Sequence, residues 1–348
     1  MPFTGLGAWL SARAAADKFS GVVLIRRGEQ TVFSGAYGWA SRRWPVPMTE
    51  AMRFDTASIT KLFTAVAALR LVDQGLLELD TPIVDVVDLA DTTISPAVTV
   101  RHLLTHSSGI ADDADEELGE SYEALWVDKP VYSVTEARDY LPQFVHKPPN
   151  FAPGEGARYC NVGYILIGLA IEELTGTPYR DHIRREIFAR AVMTSSDFYD
   201  RREAATDVAE GWDPVVDATA NHTGWKQNIF SYPSIGSASD GAHATAADLV
   251  RFLQAVRAGE LLSPDLTELF FTPQVRHDHD EWYGFGLEIT VDPGGTVWAY
   301  SKGGGNTGVS NMVRHYPAAG LDVVMLSNAE RGGLAVVNEI DRFVRITA

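Results

Sequence analysis

Residues 58–75 read Ser-Ile-Thr-Lys-Leu-Phe-Thr-Ala-Val-Ala-Ala-Leu-Arg-Leu-Val-Asp-Gln-Gly. Apolar residues at Leu62, Ala65, Val66, Leu69 and Val72 keep the three-to-four spacing of a helix, which predicts a helix over Ile59–Gln74 with Gly75 as its stop. Ser58 and Lys61 stand three residues apart at the head of that helix, where i and i+3 side chains share a face and can touch. A serine hydroxyl becomes a good nucleophile only when a base takes its proton, and a lysine can serve if its amine is neutral. Partial burial, the positive helix N-terminus and a second nearby cation would together keep such an amine unprotonated. On its own Ser-x-x-Lys is a common chance pattern, and serine is a common residue at helix starts.

Outward from this helix, β-rich runs bracket a different middle. Gly21–Arg26 and Thr31–Phe33 flank Arg27-Gly-Glu-Gln30, the spacing of a hairpin, so the chain is expected to open as sheet. Beyond Trp282, short strands are expected at Phe285–Thr290, Thr296–Tyr300, Val309–Tyr316 and Leu321–Leu326, then a helix over Leu334–Phe343. The middle, from about Leu79 to Phe230, shows helical patterns such as Val162–Leu174, stopped by Gly176, between Pro- and Gly-rich connectors. The expected fold is α/β of the α+β type, with one antiparallel sheet built from both chain ends and flanked by helices. The expected units are residues 1–78 with 231–348 as the sheet domain and residues 79–230 as a mainly helical insertion. The active site is expected at their interface.

The chain has 348 residues, and 29 Lys+Arg against 46 Asp+Glu give a formal charge of −17, which repels phosphate backbones and anionic lipid. Neither nucleic acid nor a membrane is an expected partner. The single cysteine, Cys160, rules out an intrachain disulfide framework and cysteine-rich metal sites. No apolar run approaches the length of a membrane span, and Met1–Ser20 lacks the pattern of a secretory signal, so a cytoplasmic location is expected. Oligomeric state is not legible.

Two further clusters bear on Ser58 and Lys61. Phe151-Ala-Pro-Gly-Glu-Gly-Ala-Arg-Tyr159-Cys160-Asn161 ends a turn-rich connector and leads into the helix from Val162. Late in the chain, Tyr300-Ser-Lys302-Gly303-Gly304-Gly305-Asn-Thr-Gly308 lies between two strands, its glycines allowing close approach of a substrate backbone. The order Ser58-x-x-Lys61, Tyr159-x-Asn161 and Lys302-Gly-Gly304 resembles the serine β-lactamase and penicillin-binding-protein superfamily, in its branch of class C β-lactamases, DD-peptidases and family VIII carboxylesterases. The resemblance continues through Val100-Arg-His-Leu-Leu-Thr-His-Ser-Ser-Gly109, Pro153-Gly-Glu-Gly156 and Ala244-Thr-Ala-Ala-Asp-Leu-Val-Arg-Phe252, and covers roughly Gly21 to Asn328.

This resemblance implies a β-lactamase/transpeptidase-like fold and a cofactor-free serine hydrolase without a metal. Ser58 would attack a carbonyl, with Lys61 and Tyr159 sharing general base and proton donation. Lys302 would be the second cation, lowering the proton affinities of Lys61 and Tyr159 and meeting a substrate carboxylate. Asn161 would bind an acyl-side amide or orient Lys61, and Gly303 and Gly304 would line the substrate. Backbone N–H groups of Ser58 and Gly305 would hold the oxyanion. Gly303 stands where β-lactamases and DD-peptidases often carry Thr or Ser, so a carboxylate-binding hydroxyl is missing. The implied activity is therefore cleavage of small carboxylic esters or amides. A D-stereospecific peptidase or weak β-lactamase is the alternative, and a non-hydrolytic penicillin-binding sensor comes from another class. The family's Pro-Leu-Gly-Met segment is altered to Arg190-Ala-Val-Met193.

Other motifs have plainer readings. Gly303-x-Gly305-x-x-Gly308 fits a dinucleotide fingerprint by letter, but a strand follows where a phosphate site needs a helix. His102 and His106 are expected to pack or hydrogen-bond, His277-Asp-His-Asp280 to form a solvated loop, and Cys160 to be packing. Asp112-Asp-Ala-Asp-Glu-Glu117 is expected as an exposed loop whose acidic rim could favour cationic substrates. No G-x-S-x-G elbow is present.

Overall fold

The early β-rich run forms strand β1 (Gly21–Arg27), which turns through Gly28 into β2 (Gln30–Tyr37). Six further strands come from the far end of the chain: β3 (Val275–Arg276), β4 (Glu281–Tyr283), β5 (Glu288–Val291), β6 (Val297–Asn306), β7 (Val309–Tyr316) and β8 (Leu321–Ser327). They make one antiparallel sheet in the order β2-β1-β8-β7-β6-β5-β4-β3. Gly21 faces Ser327 and Arg26 faces Asp322, so the two ends of the sequence meet mid-sheet, as expected. These details come from a computed structural model that describes residues 3–219 and 221–347. Met1, Pro2 and Ala348, at the ends of the expected sheet domain, lie outside the described residues, as does Ala220 within the expected insertion.

Because side chains alternate across a strand, the sheet carries two apolar faces. Val23, Ile25, Val323 and Met325 pack with Leu6 and Leu10 of helix α1 (Leu6–Ala15) and Val336 and Ile340 of the last helix. Val22, Leu24, Val324 and Leu326 join the main core, which includes Leu62, Val66 and Leu69 of α2 (Thr60–Asp73). β8 is buried at all seven positions, which is why its sequence reads as a nearly continuous apolar run. Helix α3 (Asn161–Thr175) packs against α2, while α4 (Ala246–Arg257) and α5 (Gly333–Thr347) pack against the sheet. Enclosed this way, α2 is buried continuously from Thr60 to Leu69, Lys61 included. Gly75 adopts φ 68 and ends α2, as its position in the sequence predicts.

Four expectations need correction. The chain opens with α1, not with sheet. β6 runs straight through the three glycines instead of ending at Tyr300. β5 starts at Glu288, not Phe285, because Gly286 at φ 80 and a Gly284 N–H bonded to the Leu287 carbonyl form a turn first. The middle is less helical than its patterns suggest. Between Val100–Leu104 and α3 lie only 3-10 turns, in a stretch interrupted by Pro130, Pro142, Pro148, Pro149 and Pro153, and a hairpin pairs Trp212–Val216 with His222–Gln227. In the altered segment, Val192 sits at φ 56, a left-handed conformation costing a β-branched residue about 1–3 kcal/mol. No helix among the described residues is long and apolar enough to cross a membrane.

Candidate active site

Ser58 sits in a 3-10 turn, Ala57–Ile59, that feeds directly into α2. The turn is strained: Ala57 has φ 45, and its N–H is held by Asp55 Oδ1 at 2.8 Å. β6 crosses close above. A Cβ on Gly304 would lie 2.2 Å from the Thr56 carbonyl oxygen, so only glycine lets the strand approach the nucleophile turn. Gly305, by contrast, is exposed and meets nothing within 4 Å.

Lys61 is fully buried, and its Nζ has three acceptors: Ser58 Oγ at 2.9 Å, Asn161 Oδ1 at 2.7 Å and the Ser239 carbonyl at 2.8 Å. These satisfy all three N–H bonds of an ammonium. When the amine is neutral, one contact must become an incoming hydrogen bond. A carbonyl and an amide oxygen cannot donate, so only the Ser58 hydroxyl can reverse. Loss of the Lys61 proton therefore turns its lone pair toward Ser58. Burial, and then the charge of Lys302, lower the Lys61 pKa to about 8, while Asp240, Glu116 and Asp112 act against them.

Tyr159 arrives from the connector before α3 and donates its phenolic O–H to Ser58 Oγ at 2.7 Å. Burial and the carboxylates of Glu116, Glu288 and Asp112 push its pKa well above the ordinary value. The expected lowering by Lys302 is overturned, since desolvation of a phenolate dominates, and Tyr159 faces Ser58 as a neutral phenol.

The start of the acidic stretch, Asp112 and Asp113, is the main correction at the site, while Glu116 and Glu117 are exposed as expected and Glu116 lines the cleft. Asp112 and Asp113 are buried, and the segment clamps the Tyr159 loop. Asp112 accepts the backbone N–H groups of Asn161 at 2.8 Å and Val162 at 3.0 Å, capping α3. It also accepts Asn161 Nδ2 at 3.1 Å, beside Glu116 at 2.8 Å. With both amide donors aimed at carboxylates, Asn161 must present its oxygen to Lys61. Asp115 pairs with Arg158 at 2.6 Å, and Glu117 accepts the Tyr159 N–H at 2.9 Å. Asn161 is also the first residue of α3, not part of the preceding loop.

Lys302 lies with its Nζ 4.7 Å from the centre of the Tyr159 ring, so the expected second cation is at hand. It is not offered to the cleft, however. Its side chain is only 1% exposed and its Nζ is 2.7 Å from Glu288 Oε1, while Glu288 Oε2 accepts the Gly303 N–H at 3.3 Å. A buried lysine that keeps its charge is ordinarily paired in this way. The cleft is about 700 Å³ and is lined by Ser58, Tyr159, Asn161, Gly303, Gly304 and Gly305 among others, with Glu288 in the place expected for Lys302.

The remaining motifs take the plain readings. Cys160 is buried with its thiol pushed up by burial, and its Sγ lies 3.6 Å from the Ile110 carbonyl. His106 Nδ1 accepts the Cys160 N–H at 3.1 Å, and burial holds this imidazole neutral. His102 closes a capping box with Thr99. Among the described residues no group of His, Cys, Asp or Glu is arranged to hold a metal. Sequence reasoning missed Ser239, Asp240 and Glu288. A backbone carbonyl leaves no residue signature, and Glu288 is set beside Lys302 only by strand register.

Comparison with known proteins gives the chain a family. The family model described as Beta-lactamase matches residues 7–343. Penicillin-binding protein 4* of Bacillus subtilis (strain 168) is 28% identical over 328 residues, covering 90% of this chain and 69% of its own. Esterase EstB of Burkholderia gladioli is 28% identical over 351 residues, covering 90% of this chain and 87% of its own. The crystal structure of a penicillin-binding protein from Bacillus halodurans superposes with a TM-score of 0.89 at 34% identity, covering 95% of this chain and 99% of that one. With the family model spanning nearly the whole sequence, the chain belongs to the beta-lactamase family and is a serine hydrolase of that family.

Proposed function

We propose that this enzyme cleaves small carboxylic esters or amides through an acyl-Ser58 intermediate. The observation that carries the reading is the Lys61 hydrogen-bond set, in which the only reversible contact is the one to Ser58. In the first step Ser58 Oγ bonds to the substrate carbonyl carbon as its proton passes to Lys61 Nζ, and the carbonyl electrons move onto oxygen. Backbone N–H groups of Ser58 and Gly305 hold that oxyanion, an arrangement whose loss typically costs about 10²–10³ in rate. The carbon–leaving-group bond then breaks and the departing atom takes a proton from Tyr159, whose phenolate recovers one from the Lys61 ammonium. Water attacks the acyl carbon as its proton passes to Lys61, the bond to Ser58 Oγ breaks, and Ser58 Oγ takes that proton back from Lys61.

Here Lys61 is the base and Tyr159 the donor, a division favoured by an amine at about 8 facing a phenol that burial keeps protonated. Lys302 tunes Lys61, and Asn161, anchored by Asp112 and Glu116, orients it. The named activity of the EstB relative supports an ester substrate. The site lies where α2, the connector before α3 and β6 meet, at the junction proposed between the sheet unit and the inserted residues 79–230.

Intact mass after exposure to a fluorophosphonate and to a penicillin tests the reading. A phosphonyl adduct on Ser58, absent in Ser58→Ala, with turnover of p-nitrophenyl acetate that Ser58→Ala abolishes, is the expected result. A penicilloyl adduct that persists without ester turnover would favour the sensor or peptidase reading, and turnover retained by pure Ser58→Ala would remove the nucleophile.

A further inference from the structure

We infer that Glu288 is a specificity-determining residue that fills the anion position of the catalytic cleft, so that the enzyme selects against leaving groups bearing a carboxylate and favours cationic ones. The inference rests on the proposed Ser58 hydrolase and concerns which substrates that site accepts.

Lys302 is the lysine of β6 beside Tyr159, and a buried ammonium there would draw a substrate carboxylate into the cleft. In this protein the carboxylate is built in. Glu288 comes from β5, paired with β6 so that Glu288 stands opposite Ser301, and it reaches Lys302 Nζ and the Gly303 N–H with its two oxygens. The same carboxylate matches the missing side chain at Gly303. A Cβ there would lie 3.8 Å from Glu288 Oε2, so the carboxylate borders the space a side chain at that position would enter. The ammonium that would bind an anion is thus already paired to Glu288, and the side chain that would assist it is absent at Gly303.

The rest of the wall has the same sign. Glu116, Glu123, Asp213, Asp240 and Glu330 line the cleft with Glu288, and among its described lining residues none is Lys or Arg. Lys226 touches Glu123 from outside at 3.4 Å. Burial and neighbouring Asp213 push Glu330 up to about 7, and burial, then Asp55, pushes Asp240 up to about 6, so these two carry only part of a negative charge near neutral pH. An incoming carboxylate would meet this wall without a free cation, whereas a quaternary ammonium would be drawn to it.

Three acetate esters of para-substituted phenols separate the cases: 4-acetoxybenzoate, 4-acetoxybenzamide and 4-acetoxy-N,N,N-trimethylanilinium. Each kcat/KM is divided by the ester's hydroxide-catalysed rate constant to remove intrinsic reactivity. The wild-type enzyme should rank cationic over neutral over anionic, with about tenfold or more between the extremes. Added salt should shrink the gap from both sides. In Glu288→Gln and Glu288→Ala the anionic-to-neutral ratio should rise about tenfold, as Lys302 becomes available. A wild-type preference for the anionic ester, no charge order at all, or an unchanged ratio in folded variants would overturn the inference. Should neither variant fold, the wild-type rank order and its salt dependence decide. These failures are distinct from failure of the Ser58 reading, which would show as hydrolysis of 4-acetoxybenzamide surviving in Ser58→Ala.

Discussion

Two buried lysines flank the same phenol, with Lys61 Nζ 5.0 Å and Lys302 Nζ 4.7 Å from the centre of the Tyr159 ring, and their surroundings differ in kind. Lys61 is held by a hydroxyl, an amide oxygen and a backbone carbonyl, none of which carries a formal charge. Lys302 is held by a carboxylate. A buried ammonium hydrogen-bonded only to uncharged groups, with another cation nearby, is poised to give up its proton, whereas one paired to a carboxylate is compensated in place. The lesson is that burial alone does not make a lysine a base. What matters is whether its partners are charged and whether one of them can turn around and donate.

Substitutions that alter one lysine's surroundings break or sharpen that contrast. Lys61→Met removes the base and should lower kcat/KM for p-nitrophenyl acetate on the order of 10³–10⁴-fold, the upper range for loss of a general base. A loss under tenfold would transfer the role elsewhere. Lys302→Met removes the nearby cation and should leave activity measurable but move its rising pH limb upward. The move should be no more than about one pH unit, since burial is the larger cause of the drop in Lys61 from 10.5 to about 8. An unmoved limb would contradict the coupling. Asp112→Asn has the opposite sign, because Asp112 raises the Lys61 pKa; the limb should shift downward and by less than in Lys302→Met. Circular dichroism of that variant checks that α3 keeps its start, since Asn retains one acceptor for the cap.

Much of this molecule is legible from sequence where local pattern and tertiary role coincide. The apolar runs of β1, β7 and β8 mark a sheet, the spacing from Leu62 to Val72 marks α2, and Gly75 and Gly176 stop their helices at φ 68 and φ 61. Ser58, Lys61 and Tyr159 were named from ordered motifs, and the structure brings them within hydrogen-bond reach. Features that depend on meeting a distant partner were not legible. Asp112 through Glu117 look solvated as a run of charges, yet Arg158 and the backbone and amide N–H groups from Tyr159 to Val162 gather them around the loop. Glu288 reads as an ordinary strand residue until the β5–β6 register sets it against Lys302. Gly304 is needed because of the Thr56 carbonyl, more than two hundred positions away in sequence.

The account turns on a neutral Lys61 receiving the Ser58 proton, and the pH dependence of Ser58 phosphonylation by a fluorophosphonate tests this directly, because that reaction needs the nucleophile but no acyl turnover. The rate should rise through one ionisation at about 8, with the group active when deprotonated, and this rise should vanish in Lys61→Met. A rate that stays flat from about pH 6 to about 10, or a rising limb that survives in Lys61→Met, would contradict it.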